Sequence, residues 1–438
     1  MAHLPADVIQ CIQSLLTAKE AARTTLLSKS WYGAWATTPN LSFDEYELRE
    51  RLPQLAKKTL QRYEHLNLNI QSFSLQMYGE HSLARELISK AMELGATDLK
   101  ILVEDNNTVS FVLPDKVVES QTLTRLSVFG CTVELGRRKK KEVIPCFTLK
   151  SLHLSYVTVN GDFFNDLSWR FPLIEEFTLK KPKSLPGTQL ALDVGAMMKL
   201  HKLEYLRMEG LDIKDSFSKH DLWPQLRYLK ELVVQNFQFS KYWNDIRICS
   251  QSLERIVILL HWHGNVNAEF DVPNIRYLKL GCAGFPRLKF ETTMMSREWV
   301  SDIEISWWDD CNFFYKLKQF VKVVSCVSRV SLHIAMMRGY NWAEGYVGDD
   351  GLGVAALENL TLENIGVTSA FVDDLLRCCR PNFIYLPRWE VNVEALQQLG
   401  RLPWKTNTFT SLNPWDFLFA IREGKTLSDT QYVRFQLR

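Results

Sequence analysis

No stretch of this chain is apolar for long enough to cross a membrane. The longest aliphatic run, Ile256 to Leu260, is far short of the roughly 20 residues a spanning helix needs, and no N-terminal run has the apolar centre of a signal peptide. Charge of one sign is missing too. The 52 basic residues are balanced by 50 acidic ones, a net of +2, which gives no global pull toward nucleic acid or an anionic membrane. The nine cysteines are odd in number and scattered, with no C-x-x-C pair and no metal-ligand spacing. They read as reduced thiols of a protein of the nucleus or cytoplasm, and the adjacent Cys378 and Cys379 read as one core and one surface residue. A G-x-x-x-x-G-K-S/T phosphate loop, a G-x-S-x-G elbow and an H-E-x-x-H helix are all absent. His261-Trp262-His263 would set two histidines on one strand face with no third ligand near in sequence, so exposed strand histidines are expected and no metal or other cofactor.

What the chain does have is internal repetition. With 438 residues it exceeds one compact core. An apolar-x-x-apolar-x-apolar pattern begins at Ile70-Phe73-Leu75, Ala96-Leu99-Ile101, Leu123-Leu126-Val128 and Leu149-Leu152-Leu154. It continues through Ile174, Leu203, Leu229, Leu253, Ile275, Val300, Val327 and Leu357, first anchors lying 22 to 30 residues apart. That period is the leucine-rich-repeat signature, in which the closely spaced pair points one strand's side chains inward. The fold class expected is α/β: a curved solenoid of about 12–13 repeats over 63–390, with a parallel concave sheet and convex helices. Convex helices are predicted at Ser82 to Leu94, Phe313 to Val324 and Ser369 to Arg377. A degenerate last turn is read at Phe383 to Leu386, and a closing cap at 391–438.

The first 45 residues follow another rule. Leu4, Val8, Ile12 and Leu15 or Leu16 recur at helical spacing, and a second short helix is read from about Lys19 to Ser28. So small a segment cannot bury that much apolar surface by itself, which implies a partner. The order Leu4-Pro5-x-Asp7, apolar helix, Lys19-Glu20, Leu26-Leu27-Ser28-Lys29-x-Trp31, Pro39-Asn40-Leu41-x-Phe43-Asp44-Glu45 resembles the F-box of plant F-box proteins. Thr17 stands where that family commonly has a proline, and Ser30 where it commonly has an arginine before the tryptophan. A helical linker over 46–62, with Pro53 near its start, would join the F-box at 1–45 to the repeats.

F-box followed by repeats resembles the plant F-box/leucine-rich-repeat proteins. The resemblance implies a non-catalytic substrate receptor of a Skp/cullin/F-box ubiquitin ligase. Leu4, Pro5, Ile9, Leu26 and Trp31 would meet the Skp-type adaptor, and through it cullin and a RING subunit, while the repeats hold an unknown protein target. A non-degradative scaffold and a ligand-gated receptor remain alternatives. Three local features are candidates for recognition. Arg137-Arg138-Lys139-Lys140-Lys141 reads as a solvated loop, a nuclear import signal or a contact for an acidic target. Of Trp307-Trp308 beside Asp309-Asp310 one is expected to fill the core, since strand neighbours point to opposite faces. Trp307 or Trp308, with the glycine- and aromatic-rich stretch containing Tyr340 and Trp342, is expected along one rim as a target anchor. The acids there, with Asp349 and Asp350, would favour a basic target segment.

Overall fold

The computed structural model describes residues 4–104, 110–135, 144–188, 190, 194–213, 225–235, 238–239, 245–263, 266–291, 294, 299–307, 313–336, 354–363, 369–387 and 432–436. They fall into two units, Met1–Leu211 and Asp212–Arg438.

The first unit opens with α1 (Ala6–Ser14), α2 (Ala18–Thr24) and α3 (Lys29–Ala36), followed by β1 (Asn40–Asp44) and α4 (Glu45–Leu48). A single 3-10 turn, Arg49–Arg51, then leads into α5 (Leu52–His65). The helix predicted over 46–62 is thus broken, and Arg49 at the break adopts φ +51°. Then come β2 (Ser72–Tyr78), α6 (His81–Glu93), β3 (Asp98–Glu104), α7 (Asp115–Val118), β4 (Arg125–Phe129) and β5 (Thr132–Val133). β6 (Ser151–Ser155), β7 (Thr158–Val159), α8 (Phe163–Arg170), β8 (Glu176–Lys180), β9 (Lys183–Ser184), α9 (Val194–Met197) and β10 (Tyr205–Glu209) complete it.

Its main sheet runs β1-β2-β3-β4-β6-β8-β10, every pairing parallel. The apolar pairs read from the sequence lie in register: Phe73, Leu99, Leu126, Leu152, Phe177 and Leu206 stack strand on strand and are buried. Behind them the chain returns through α6 to α9 or through the small parallel sheet β5-β7-β9. A parallel ladder needs such a crossover at every step, and here each is made within one repeat.

Just past several strands the backbone turns through the left-handed region. Gly79, Gly130 and Gly210 do so, and so do Tyr156 and Lys181, at φ +53° and +44°. A Cβ on Gly130 would meet the Val103 carbonyl at 3.1 Å. Each turn carries the ladder one step further: the amides of Gly130, Tyr156 and Lys181 donate to the carbonyls of Ser155, Lys180 and Glu209, at 3.1, 2.8 and 2.7 Å.

The second unit holds β11 (Asp212–Ile213), β12 (Glu231–Gln235), β13 (Gln238–Phe239), β14 (Asp245–Cys249), β15 (Arg255–His263), β16 (Asn267–Asp271), β17 (Tyr277–Ala283) and β18 (Arg287–Phe290). It continues with β19 (Val300–Trp307), α10 (Phe313–Ser325), β20 (Arg329–Met336), β21 (Ala355–Glu363), α11 (Ser369–Cys378), β22 (Cys379–Pro387) and β23 (Tyr432–Gln436). From β12 through β15, β17, β19, β20, β21 and β22 the order is again that of the chain and the pairings are parallel, while β23 adds antiparallel to β22.

Three expectations fail in this unit. At β19 the strand pairs two residues away from the sequence alignment: Ser301 and Ile303 lie beside Leu278 and Leu280, so a fully buried serine takes an apolar position and its hydroxyl bonds the Ser328 hydroxyl at 2.8 Å. Trp307 faces inward, 5% exposed, with its ring 5.0 Å from Phe285 and 5.8 Å from Phe313. It is core, not an exposed target anchor, because β19 alternates Ser301, Ile303, Ile305 and Trp307 onto the buried face. Cys378 and Cys379 are both buried, since the helix ends on one and the strand starts on the other, which breaks the alternation that would expose one of them.

Candidate functional site

The apolar residues of α1 divide between two faces. Ile9, 1% exposed, and Gln13 point inward, toward a small interior shared with Ala21 of α2 and Ala34 of α3. The Gln13 amide donates to the Thr24 hydroxyl at 2.9 Å and to the Trp31 carbonyl at 3.2 Å, tying α1 to both other helices. Gln10 adds a bond to the Ala34 carbonyl at 3.2 Å. A bundle this small has little apolar interior, so polar side chains close it.

The ends of the short helices are capped locally. Thr17 is the N-cap of α2: its hydroxyl accepts from the Glu20 amide at 3.3 Å while the Glu20 carboxylate accepts from the Thr17 amide at 3.1 Å. The departure from the family's proline therefore supplies a capping box. The Thr17 hydroxyl first, and its amide second, hold the Glu20 carboxyl below its usual range. Ser28 caps α3 through the Trp31 amide. Arg62 of α5 lies over the Trp35 ring at 5.5 Å and buried Tyr63 bonds the Thr38 carbonyl, so the long helix is fastened to the bundle by side chains.

The other face of α1 is left open. Leu4, Val8, Ile12, Leu15 and Leu16 are exposed, as are Leu26 and Leu27 after α2 and Tyr32 on α3. Leu15 is 83% and Leu26 88% exposed. Leu4, Val8, Ile12 and Leu15 form one stripe at helical spacing, and a stripe of that kind in solvent marks an interaction surface. Of the residues predicted for the adaptor, Leu4, Pro5 and Leu26 lie exposed, Trp31 is half-buried, and Ile9 lies in the interior beneath them. Leu15, Leu27 and Tyr32 are exposed on the same segment but are not among the five residues predicted for the adaptor. The i, i+4, i+7 recurrence after Leu4 was the signal for Leu15; nothing in the spacing singles out Tyr32.

Trp308, Tyr340, Trp342 and the basic run Arg137, Arg138, Lys139, Lys140 and Lys141 lie outside the described residues. His261 and His263 belong to β15. Among the described residues no group of His, Cys, Asp and Glu could hold a metal ion, and no helix is long and apolar enough to cross a membrane.

No family model matches the chain. Among curated proteins of Arabidopsis thaliana, it is 28% identical over 191 residues to an F-box protein, covering 40% of this chain and 38% of that one. It is 25% identical over 209 residues to an F-box/LRR-repeat protein, 48% and 43% of the two chains. A further F-box/LRR-repeat protein is 28% identical over 194 residues, 41% and 36% of the two. Its relatives are plant F-box/leucine-rich-repeat proteins. The chain spans less than half the length of these three relatives.

Proposed function

We propose that the chain is the target-recognition subunit of a Skp/cullin/F-box ubiquitin ligase. The exposed stripe of α1, with Leu26 and Leu27, takes the Skp-type adaptor, and the repeats hold a protein target. The supporting observation is the division of α1 into an inner face closed by Ile9 and Gln13 and an outer face of solvent-exposed leucine, valine and isoleucine. The chain's part is proximity: holding a lysine-bearing target near a conjugating enzyme raises effective concentration and asks for no chemistry from its own side chains. On this reading the adaptor-binding segment is 1–45, the connector 46–62, the target-binding repeats 63–390 and the closing segment 391–438, with the strand Asn40–Asp44 at the end of the first segment already paired into the repeat sheet.

Co-purification from plant cells tests this reading. The tagged chain should bring down adaptor and cullin, and its captured proteins should accumulate when cullin modification is blocked. Adaptor without cullin would instead identify a scaffold that does not lead to degradation.

A further inference from the structure

The segment that joins the three-helix bundle to the repeats folds a cleft of about 530 Å³ against the end of β2. None of the exposed leucines of the bundle lines it. Its floor is apolar: Leu52 and Met77 are each 1% exposed, and half-buried Pro53 in the first turn of α5 joins them. Its aromatic walls are Tyr46, 80% exposed, and Tyr78, 42% exposed. The volume lies within the ~300–1,000 Å³ usual for small-molecule sites.

The walls are held in place by short bonds. The Glu45 carboxylate accepts from the Tyr78 amide at 2.7 Å, which ties the start of α4 to the end of β2. The Tyr46 amide donates to the Asp44 carboxylate at 2.8 Å. Arg49, at the far end of α4, turns the chain through φ +51°, a conformation that a residue with a side chain adopts only at a cost.

Charge in the cleft is one-sided by direct count. Glu45, Glu50 and Glu80 line it against Arg49 alone, and adding the flanking Asp44, Glu47 and Arg51 leaves five acids to two bases. Glu45, Glu50 and Glu80 make no ion pair among the described residues. An anion would meet three carboxylates here, and a neutral apolar molecule would leave them without a counter-charge. Tyrosine faces attract a cation through the ring quadrupole, and an apolar floor takes an alkyl stem. A stem ending in a cation is the chemistry that uses floor, walls and acids together.

From this lining we infer that the cleft binds an alkylammonium ion, its methylene stem on Leu52, Pro53 and Met77 and its charge among Tyr46, Tyr78, Glu50 and Glu80. A free amine and the lysine side chain of a partner share this chemistry, and the test separates them. The inference is independent of the ligase reading.

The test is calorimetric titration of the purified full-length chain at fixed ionic strength with butylammonium, butanol, butyrate, spermidine and acetyl-lysine amide. Expected is saturable binding of butylammonium and none of butanol or butyrate. E50Q/E80Q should weaken butylammonium roughly 2- to 30-fold, the range for two exposed charge pairs. Tyr46→Leu should weaken it about 2- to 5-fold through loss of one ring. Arg49→Gln removes the lining guanidinium and should tighten binding about 2-fold, a gain that a damaged fold does not produce. Tighter binding of spermidine than of acetyl-lysine amide identifies a free amine, the reverse order a lysine side chain, and either upholds the inference. Absence of saturable butylammonium binding, equal binding of butanol, or wild-type affinity in a folded E50Q/E80Q chain overturns it.

Discussion

The double substitution L15A/L26A separates a partner surface from a structural one. Both side chains are more than four-fifths exposed, so truncation removes almost nothing from the folded chain, and stability should change by no more than about 0.5 kcal/mol. In a complex that covers them, each truncation deletes about three carbons from a buried contact. At ~0.8 kcal/mol per CH2 this is about 2 kcal/mol each, together about 4 kcal/mol, or about a thousandfold in affinity. Ile9→Ala is the control: at 1% exposure it creates a cavity and should cost about 2–5 kcal/mol of stability. The assay is calorimetric titration of a Skp-type adaptor into full-length variants, with thermal unfolding alongside. Wild-type affinity in a folded L15A/L26A chain would refute the argument that this stripe is the docking face. Loss of folding in that variant would show instead that the leucines are packed.

Three further outcomes follow from the same geometry. Tyr156→Gly relieves a left-handed backbone, so stability should move by no more than about 1 kcal/mol; a large loss of stability by thermal unfolding would make Tyr156 a packing residue. The His153 imidazole is held below its usual pKa by burial first and by Lys180 second, against the pull of Glu176. Folding therefore disfavours its protonation, and the stability this gives is complete above the unfolded value near 6.5 and declines as pH falls below it. His153→Gln should flatten the fall in unfolding temperature between pH 7 and 5, and an unchanged slope would clear His153. Arg170 is 3% exposed and donates to the carbonyls of Val118 at 3.3 Å and Leu135 at 2.8 Å. Arg170→Ala strands both carbonyls and should cost about 2–4 kcal/mol by chemical denaturation; a shift below 1 kcal/mol would show that water replaces the guanidinium.

The repeat sheet was legible because alternation of inward and outward residues leaves a period in the sequence, and Phe73 to Met208 fall where that period puts them. The same rule misled at β19. Val300 satisfied the apolar pattern better than Ser301, yet pairing with β17 and β20 decides the register, and a serine can be buried once Ser328 satisfies it. Trp307 followed Ser301 inward by parity. At the N-terminus the exposed stripe was visible as helical spacing, but Gln13 as the tie between three helices was not, since a glutamine on an apolar helix has no periodic signature. Nor did composition show which face charges were free. A near-zero net charge does not show that Arg125 pairs with Asp98 and Lys181 with Glu209, because pairing depends on neighbours one repeat away.

The strict separation of inward from outward rows has an evolutionary consequence. Exchanging Lys100, Ser127 or Thr178 changes what the sheet displays without touching Leu99, Leu126 or Phe177 beneath. Selection can therefore redraw the displayed surface one outward position at a time while the core beneath is kept. The exposed stripe of α1, if it meets an adaptor as proposed, has no such freedom. Divergence among relatives of this chain should accordingly fall unevenly, with fast substitution in the outward rows and slow substitution at Leu15 and Leu26.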